Sequence, residues 1–352
     1  MTADAHPHPV KLGGVTGSPY TRKMRAVLRY RRIPYRWIPR NSQWDDFTEV
    51  PVQIIPVLAL PDDNGDYPTA MVDSSPQIMV LEEYHADRSI VPTDPVVAFL
   101  DHLIEDYGDE WCTKMMFHYR WNRHYPEGVD MAAQLLPLMQ GLQVPEDSRQ
   151  TMGRAFAERQ MHRTALVGCT DENLPIVEAG YERLLGLLDR HFTDHPFVLG
   201  QRPGRGDFGI FGQFTQLTGW DPASVALAVD KGPRCVVWTQ WMDDMGWWEV
   251  DGEEGWFDRD SLPSTVGELL GEIGRTYAPF MVANASAVRA DVDEVAVQID
   301  GLPYRQSPFA YQEKCLRWLN DAYQALDTDD RTAVDTLLAG TGCEQLVSEA
   351  GP

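Results

Sequence analysis

The sequence predicts an α+β protein in which a small mixed sheet with its helices is followed by a much larger all-α part. Two observations predict this. β-type runs alternate with helical patterns between residues 10 and 84, whereas helical periodicity dominates after residue 95. The chain has 352 residues, 43% of them apolar, which is enough for two domains with sizeable cores.

The first predicted unit is a strand, a helix and a second strand. Residues 10–12 alternate in polarity and end at two glycines, which indicates a short strand. Ser18-Pro19 predicts a helix start, because Ser is a favoured N-cap and Pro is favoured in the first turn. Pro34 ends that helix, and residues 35–38 predict a strand. Strands joined by a helical crossover are expected to be parallel.

The next predicted unit is a hairpin followed by a helix. Residues 57–60 and 69–72 are β-rich, and the D-D-N-G-D turn at 62–66 makes them an antiparallel pair. Asp73-Ser74-Ser75-Pro76 is typical of a helix start. The resulting order, β-α-β-β-β-α, is the thioredoxin-like layout, and we place this domain at residues 8–90.

The remaining chain reads as helical. A linker at 88–95 precedes a long apolar stripe that predicts a helix from Pro95 to Trp121. Further helices are predicted near 178–191, 206–218, 233–246 and 307–326. Residues 122–175 and 249–306 show no clear hydrophobic period, and no element is predicted there. We place this all-α domain at residues 94–352.

Composition excludes several classes of protein. The formal charge of −23 argues against nucleic acid and anionic membranes as main partners. No apolar run is long enough for a transmembrane helix, and the N-terminus lacks the features of a secretory signal, so a cytoplasmic protein is expected. The five scattered cysteines form no C-x-x-C pair, which indicates buried thiols and no metal site.

Positive charge is concentrated near the N-terminus. Residues 1–40 carry +8, against −31 for the rest of the chain. This region could hold a small anionic ligand. Alternatively, Arg29, Arg31 and Arg32 form a solvated helix end, where cations suit the helix dipole.

Ser18 is the first candidate functional residue. In a thioredoxin-like fold this turn carries the redox C-x-x-C, and here Ser18 and Thr21 occupy the two cysteine positions, which excludes dithiol chemistry. A hydroxyl beside a helix N-terminus can stabilise the thiolate of a ligand. Alternatively, Ser18 is only an N-cap, worth about 1 kcal/mol of stability.

Two more segments are candidates for ligand binding. Pro56 precedes a predicted strand, where a cis bond would let the Ile55 main chain bond an extended peptide; a trans proline at a strand edge is the alternative. At the next helix start, Asp73 could bind an ammonium and the helix N-terminus beside Ser74 a carboxylate. Both groups occur on a γ-glutamyl moiety. Because Ser75 follows directly, the ligand-binding pair is either Asp73-Ser74 or Ser74-Ser75. The alternative is that this segment is only a helix cap.

In this order and at this spacing, the three segments resemble the glutathione-binding domain of cytosolic glutathione S-transferases of the bacterial type. Residues 197–208 are similar to the F-L-x-G-x-x-P-S-x-A-D stretch of the family's second domain, with Gly204 at its Ser position and Asp207 kept. The resemblance implies a helix there without the full reciprocal capping box. It also implies that Ser18 is the catalytic residue. Glutathione, the co-substrate, would be bound by Tyr20, Ile55, Pro56, Asp73 and Ser74.

The resemblance further implies that the glutathione thiolate attacks an electrophilic, mostly apolar small molecule, and that the protein can be a homodimer. The acceptor pocket would lie between the domains, with His118 and His124 as candidate polar groups. Its walls would be Tyr107, Trp111, Met115 and Tyr119. The alternative for these four is an ordinary core stripe.

Departures from the family pattern motivate other functions. Residues 50–54 (V-P-V-Q-I) replace the usual N-P-x-G-x-V-P, and the helical part is about twice the family norm. One alternative is therefore a non-catalytic module that binds a protein partner through its extra helices. Another is a glutathione-dependent isomerase or dehalogenase. If Ser18 is not the activating group, Tyr20 or Thr16 is the next candidate.

Overall fold

A mixed four-stranded sheet forms the first layer of the molecule. The computed structural model describes residues 8–47, 50, 52–252 and 254–348. The strand order is β2-β1-β3-β4, with β1 parallel to β2 and antiparallel to β3, and β3 antiparallel to β4. The strands are β1 (Val10–Gly14), β2 (Tyr35–Pro39), β3 (Val57–Ala59) and β4 (Met71–Val72). The predicted thioredoxin-like layout is confirmed.

Two helices complete this region, α1 (Pro19–Tyr30) and α2 (Ser74–Tyr84). Both begin where the sequence predicts. Ser18 is the N-cap of α1 with Pro19 in the first turn, and α1 buries Met24, Val27 and Leu28.

The rest of the chain is mainly helical, as predicted. α3 and α4 replace the single helix predicted from Pro95 to Trp121, because the chain breaks at Trp111. The helices are α3 (Pro95–Glu110), α4 (Cys112–Trp121), α5 (Pro126–Leu135), α6 (Glu146–Met161), α7 (Leu174–Asp194), α8 (Arg205–Leu217), α9 (Pro222–Lys231), α10 (Pro233–Met242), α11 (Ser264–Arg289), α12 (Ala310–Ala325), α13 (Thr328–Leu338) and α14 (Glu344–Ser348). Short 3-10 turns lie at Leu136–Met139, Met245–Trp247 and Arg259–Ser261.

The two segments without a clear hydrophobic period contain regular secondary structure. α5 and α6 lie in the first, and the second holds α11 and a hairpin, β5 (Val295–Ile299) and β6 (Leu302–Gln306). The hairpin is a local departure from the all-α expectation. Its turn is Asp300-Gly301, both at positive φ, which is a strong hairpin signal that the sequence does contain.

Helix α8 is the central element, with every residue buried. It packs against α1 and α3, and its start lies so close to α3 that a Cβ on Gly204 would sit 2.4 Å from Asp101 Oδ1. The Asp101 carboxylate accepts from the Arg205 and Gly206 N–H groups, and Asp207 accepts from Gly204 N–H at 3.0 Å. The helix therefore forms without the reciprocal half of the capping box, as expected.

We call residues 264–348 the C-terminal extension. Its helix α12 packs against α3 and α11, and its apolar residues join one continuous core with the sheet and α8. All five cysteines are buried and unpaired, as predicted. No helix among the described residues is both long and apolar enough to cross a membrane.

Candidate functional site

Three of the predicted site segments meet at one edge of the sheet. Gly13 pairs with Val57, and Val57 also pairs with Val72, so the three strands form one row. Just outside this row lie the turn that leads into α1, Pro56 before Val57, and Asp73 after Val72. The sheet topology therefore brings together residues that are far apart in sequence.

The Ser18 hydroxyl caps α1 and is half-buried. Its Oγ accepts from Thr21 N–H at 3.3 Å, so Ser18 does act as the N-cap of α1. A serine hydroxyl carries one donor hydrogen besides its acceptor lone pairs. The cap uses an acceptor, which leaves the hydrogen available for a ligand atom.

A buried arginine holds the turn before Ser18. Arg120 Nη1 donates to the Gly17 carbonyl at 3.0 Å, while Nε and Nη2 donate to both carboxylate oxygens of Asp221 at 2.8 Å. The guanidinium also lies 4.0 Å from the centre of the Trp220 ring. This fixed, charge-compensated contact ties the Ser18 turn to the helical part. The sequence carries no local signal for it.

Apolar side chains lie directly against the same turn. A Cβ on Gly17 would sit 2.3 Å from Leu136 Cδ2 and 2.9 Å from Met139 Sδ. Both side chains are half-buried. They belong to the segment 122–175, which shows no clear hydrophobic period in the sequence, and they form an apolar surface next to Ser18.

Tyr20 faces α3. Its hydroxyl donates to the Asp109 carbonyl at 2.8 Å, and burial raises its pKa well above the usual value. The hydroxyl is therefore protonated and already engaged at the boundary with the helical part.

Pro56 follows a cis peptide bond, the isomer that the sequence left open. Its carbonyl accepts from Gln77 Nε2 at 3.0 Å, and the same amide donates to the Met71 carbonyl at 3.0 Å. Helix α2 thus joins the ends of β3 and β4. Ile55 is half-buried; in the preceding segment, Pro51 lies outside the described residues.

Asp73 has an unusual backbone. Its φ of 81° and ψ of 115° lie in a region that residues other than glycine rarely adopt, and such conformations are concentrated at functional sites. Its Oδ2 accepts from the Tyr311 hydroxyl at 2.8 Å. The first residue of the predicted ammonium-binding pair is therefore in contact with the C-terminal extension.

The serines after Asp73 are engaged with buried charges. Ser74, the first residue of α2, is 5% exposed and accepts from Lys23 Nζ at 3.3 Å. Ser75 Oγ donates to Glu105 Oε1 at 2.9 Å. The helix start predicted to hold a carboxylate thus packs on an internal polar network.

Lys23 is the centre of that network. It is fully buried and donates to Glu105 Oε1 at 2.6 Å and Asp109 Oδ2 at 2.5 Å, and Arg205 pairs with the other oxygen of Glu105. Burial acts to raise the pKa of Glu105, but Arg205 and Lys23 outweigh it and hold that pKa at about 2. Burial raises the pKa of Asp109 to about 6, although Lys23 opposes it. The network joins α1, α2 and α3.

The four residues predicted to line the acceptor pocket lie in the core: Tyr107, Trp111, Met115 and Tyr119. The C-terminal extension covers two of them, whereas Tyr119 packs against Tyr181 of α7. The Tyr277 ring lies 6.1 Å from Tyr107, and the Phe280 ring lies 5.8 Å from Trp111. Their burial fits the alternative of an ordinary core stripe, and their role as pocket walls stays a prediction.

The two candidate histidines are bound to carboxylates. The buried His118 lies 2.9 Å from Glu178 through Nε2, and burial lowers its pKa. His124 is exposed and lies 3.2 Å from Asp171. Neither is placed next to Ser18 by any contact among the described residues.

Comparison with known proteins identifies the first region. Residues 12–89 match the family model described as "Glutathione S-transferase, N-terminal domain". No curated protein matches the chain.

Several solved structures resemble the chain over part of its length. A GST-like protein from Pseudomonas syringae is 13% identical, with 66% of each chain covered and a TM-score of 0.40. A glutathione S-transferase from Methylobacterium radiotolerans, solved with glutathione sulfonate, is 21% identical over 65% of this chain and 93% of that chain, with a TM-score of 0.35. The Tau class enzyme of mango is 19% identical over 66% and 88%, with a TM-score of 0.37.

Proposed function

We propose that the protein binds glutathione and that Ser18 activates its thiol for attack on an electrophile, because residues 12–89 match the family model of the glutathione S-transferase N-terminal domain. One observation carries the proposal. The Ser18 hydroxyl sits at the N-terminus of α1 with its hydrogen uncommitted, at the sheet edge that also presents Pro56 and Asp73. That edge offers separate contacts for the thiol, the peptide backbone and the γ-glutamyl group.

The chemistry follows from the helix start. A free thiol with a pKa near 8.5 is only about 3% ionised at pH 7. A hydrogen bond from Ser18 and the positive end of α1 both favour the thiolate, each pKa unit being worth about 1.4 kcal/mol. The thiol proton passes to solvent, and the thiolate then forms a carbon–sulfur bond as the leaving group departs with its electron pair.

Leu136 and Met139 are the proposed apolar contacts for the electrophile. They lie against Gly17, one residue from Ser18, whereas the four side chains first predicted for this role are buried. An apolar second substrate suits this surface. Conjugation, isomerisation and dehalogenation all use the same thiolate, so the second substrate decides between them.

A non-catalytic module is the second candidate, because the γ-glutamyl contacts are already engaged. Tyr311 donates to Asp73, and Lys23 donates to the buried Ser74. Glutathione must displace the Tyr311 hydroxyl or share the Asp73 carboxylate with it. If it can do neither, the domain keeps its fold and the function lies with a partner of the C-terminal extension.

Calorimetry with glutathione, together with ultraviolet absorbance of the bound thiolate, tests the proposal. We expect wild type to bind and to show a thiolate signal, and Ser18→Gly to bind while losing most of that signal. Gly is an acceptable N-cap that costs only a few tenths of a kcal/mol, so this variant removes the hydroxyl while sparing α1. Turnover with a reactive electrophile should fall about tenfold for each unit by which the thiol pKa rises.

A remote cap provides the matched control. The exposed Asp327 caps α13 by accepting from Asp330 N–H at 2.8 Å, so Asp327→Ala loses a cap far from Ser18 and should keep the thiolate signal. An undiminished signal in Ser18→Gly would show that Ser18 is not the activating group and would direct attention to Thr16. Absence of glutathione binding by wild type at several millimolar would favour the non-catalytic module.

A further inference from the structure

Two carboxylates and a thiol lie close together where α12 of the C-terminal extension packs against α3. Asp106 and Glu110 lie four residues apart on α3, which places them on one helix face, and Cys315 of α12 packs against them. One oxygen from each carboxylate and the Cys315 sulfur all lie within 4.8 Å of one another, and all three residues are buried.

Among the described residues no cation forms an ion pair with this cluster, and Lys114 acts on Glu110 only from beyond that distance. The nearby Lys23 is committed to Glu105 and Asp109, and no Lys, Arg or His in the described part of the chain lies within ion-pair distance of Asp106 or Glu110. Buried acids are normally paired, protonated or bound to a metal.

A buried side-chain amide lies beside the cluster. Gln312 is 3% exposed, and its Nε2 donates to the Glu110 carbonyl at 3.3 Å. Its Oε1 is buried and has no hydrogen-bond partner. Gln312 lies one turn before Cys315 on α12, and its amide also bonds the Glu110 carboxyl, so the amide group lies beside the cluster with its nitrogen toward Glu110. The Tyr277 hydroxyl donates to Asp106 and so helps to orient that carboxylate.

We propose that Asp106, Glu110 and Cys315 bind a divalent transition metal, for which Zn²⁺ is the best fit, and that the Gln312 amide turns over to supply Oε1 as the fourth ligand. The thiolate favours zinc over magnesium or calcium, and the carboxylate oxygens are also established zinc ligands. Zinc–ligand bonds of 2.0–2.3 Å place tetrahedral ligand atoms roughly 3.3–3.8 Å apart, so the cluster needs to contract only slightly. Binding releases the thiol and carboxyl protons to solvent and involves no redox change.

The site has a structural consequence. It joins α3, from the body of the helical part, to α12, from the C-terminal extension. Tyr311, which contacts Asp73, is four residues before Cys315 on the same helix. A bound metal therefore fixes the part of the extension that touches the predicted γ-glutamyl contact.

Metal binding by the full chain is the test. The protein is treated with a chelator, exchanged into metal-free buffer and titrated with Co²⁺, which reports a cysteine ligand by a thiolate-to-metal charge-transfer band. We expect one equivalent of Co²⁺ with that band, displacement by Zn²⁺, and no competition from Mg²⁺. Cys315→Ser should abolish the band and weaken Zn²⁺ binding at least tenfold.

Cys343→Ser is the matched control. Cys343 is also buried in the C-terminal extension, where its sulfur donates to the Leu270 carbonyl at 3.1 Å, and this variant should keep the band. Glu110→Gln, which preserves shape, should weaken Zn²⁺ binding if Cys315→Ser fails to fold. No band in wild type, or a band that survives Cys315→Ser, would overturn the proposal. The assay contains no glutathione, so its outcome is independent of the proposed function.

Discussion

Replacing Tyr311 with phenylalanine removes the one hydroxyl that the C-terminal extension donates to Asp73. The bond is 2.8 Å long and ends on Oδ2. The ring remains, together with its packing against Phe309 and Trp318 at centroid distances of 6.2 and 6.5 Å. The substitution therefore removes the hydrogen bond to Asp73, together with the contact between this hydroxyl and Cys315, and leaves the ring in place.

The size of the effect follows from that bond. A hydrogen bond to a charged group contributes about 1.5–3 kcal/mol, and we take the lower end because Tyr311 and Asp73 are both only half-buried. If the glutathione ammonium has to displace the hydroxyl, wild type loses this bond on binding and Tyr311→Phe does not. At about 1.4 kcal/mol for a tenfold change, the dissociation constant of glutathione should fall about tenfold in the variant.

Calorimetric titration with glutathione measures this directly, and the same helix supplies the control. Tyr323 of α12 donates to Asp335 Oδ1 at 2.7 Å, on the exposed side away from Asp73, so Tyr323→Phe should leave the affinity unchanged. An unchanged or weaker affinity in Tyr311→Phe would refute the displacement argument. It would mean that the ligand shares the Asp73 carboxylate with Tyr311 or does not use it.

The buried ion pairs give two further predictions. Lys23→Met should lower the free energy of unfolding by about 3–5 kcal/mol in urea titrations, because it leaves the buried Glu105 and Asp109 without their shared cation; a loss below about 1 kcal/mol would contradict this. The pKa of Glu105, about 2 in the folded protein, lies below its ordinary value of 4.5, so its contribution to stability is complete above about pH 4.5 and is lost as the pH falls toward 2. Urea titrations across that range should show a steeper loss in wild type than in Lys23→Met; equal slopes would show that Lys23 does not depress this pKa.

Much of the first region could be predicted because its signals are local. Ser18-Pro19 marks a helix start by its own chemistry, and the turn at 62–66 fixes a hairpin from within five residues. The hairpin at 295–306 had an equally local signal in Asp300-Gly301. The sequence does not predict this hairpin because the surrounding segment shows no clear hydrophobic period, so no strand is assigned there.

The partners of the site residues could not be predicted in this way. Arg120 reaches Gly17 across 103 positions, and Tyr311 reaches Asp73 across 238. No spacing rule within one sequence links residues that only the folded chain brings together. The same limit applies to Trp111, because its burial depends on Phe280 and Tyr304 from the C-terminal extension.

The N-terminal positive charge has a different meaning in the structure than in the sequence. Arg31 is fully buried and pairs with Glu82 at 2.7 Å, while Arg29 bonds Asp243. Arg32 pairs with Glu249 at 2.6 Å. Acids from α2 and from the helical part thus compensate these three arginines, which form no free anion site, and of the three only Arg32 is exposed as a solvated helix end would be. At the start of α1, Pro19 carries no N–H and the Thr21 N–H is bound to Ser18 Oγ, so the proposed anionic sulfur would be held by the Ser18 hydroxyl hydrogen and the positive end of the helix dipole.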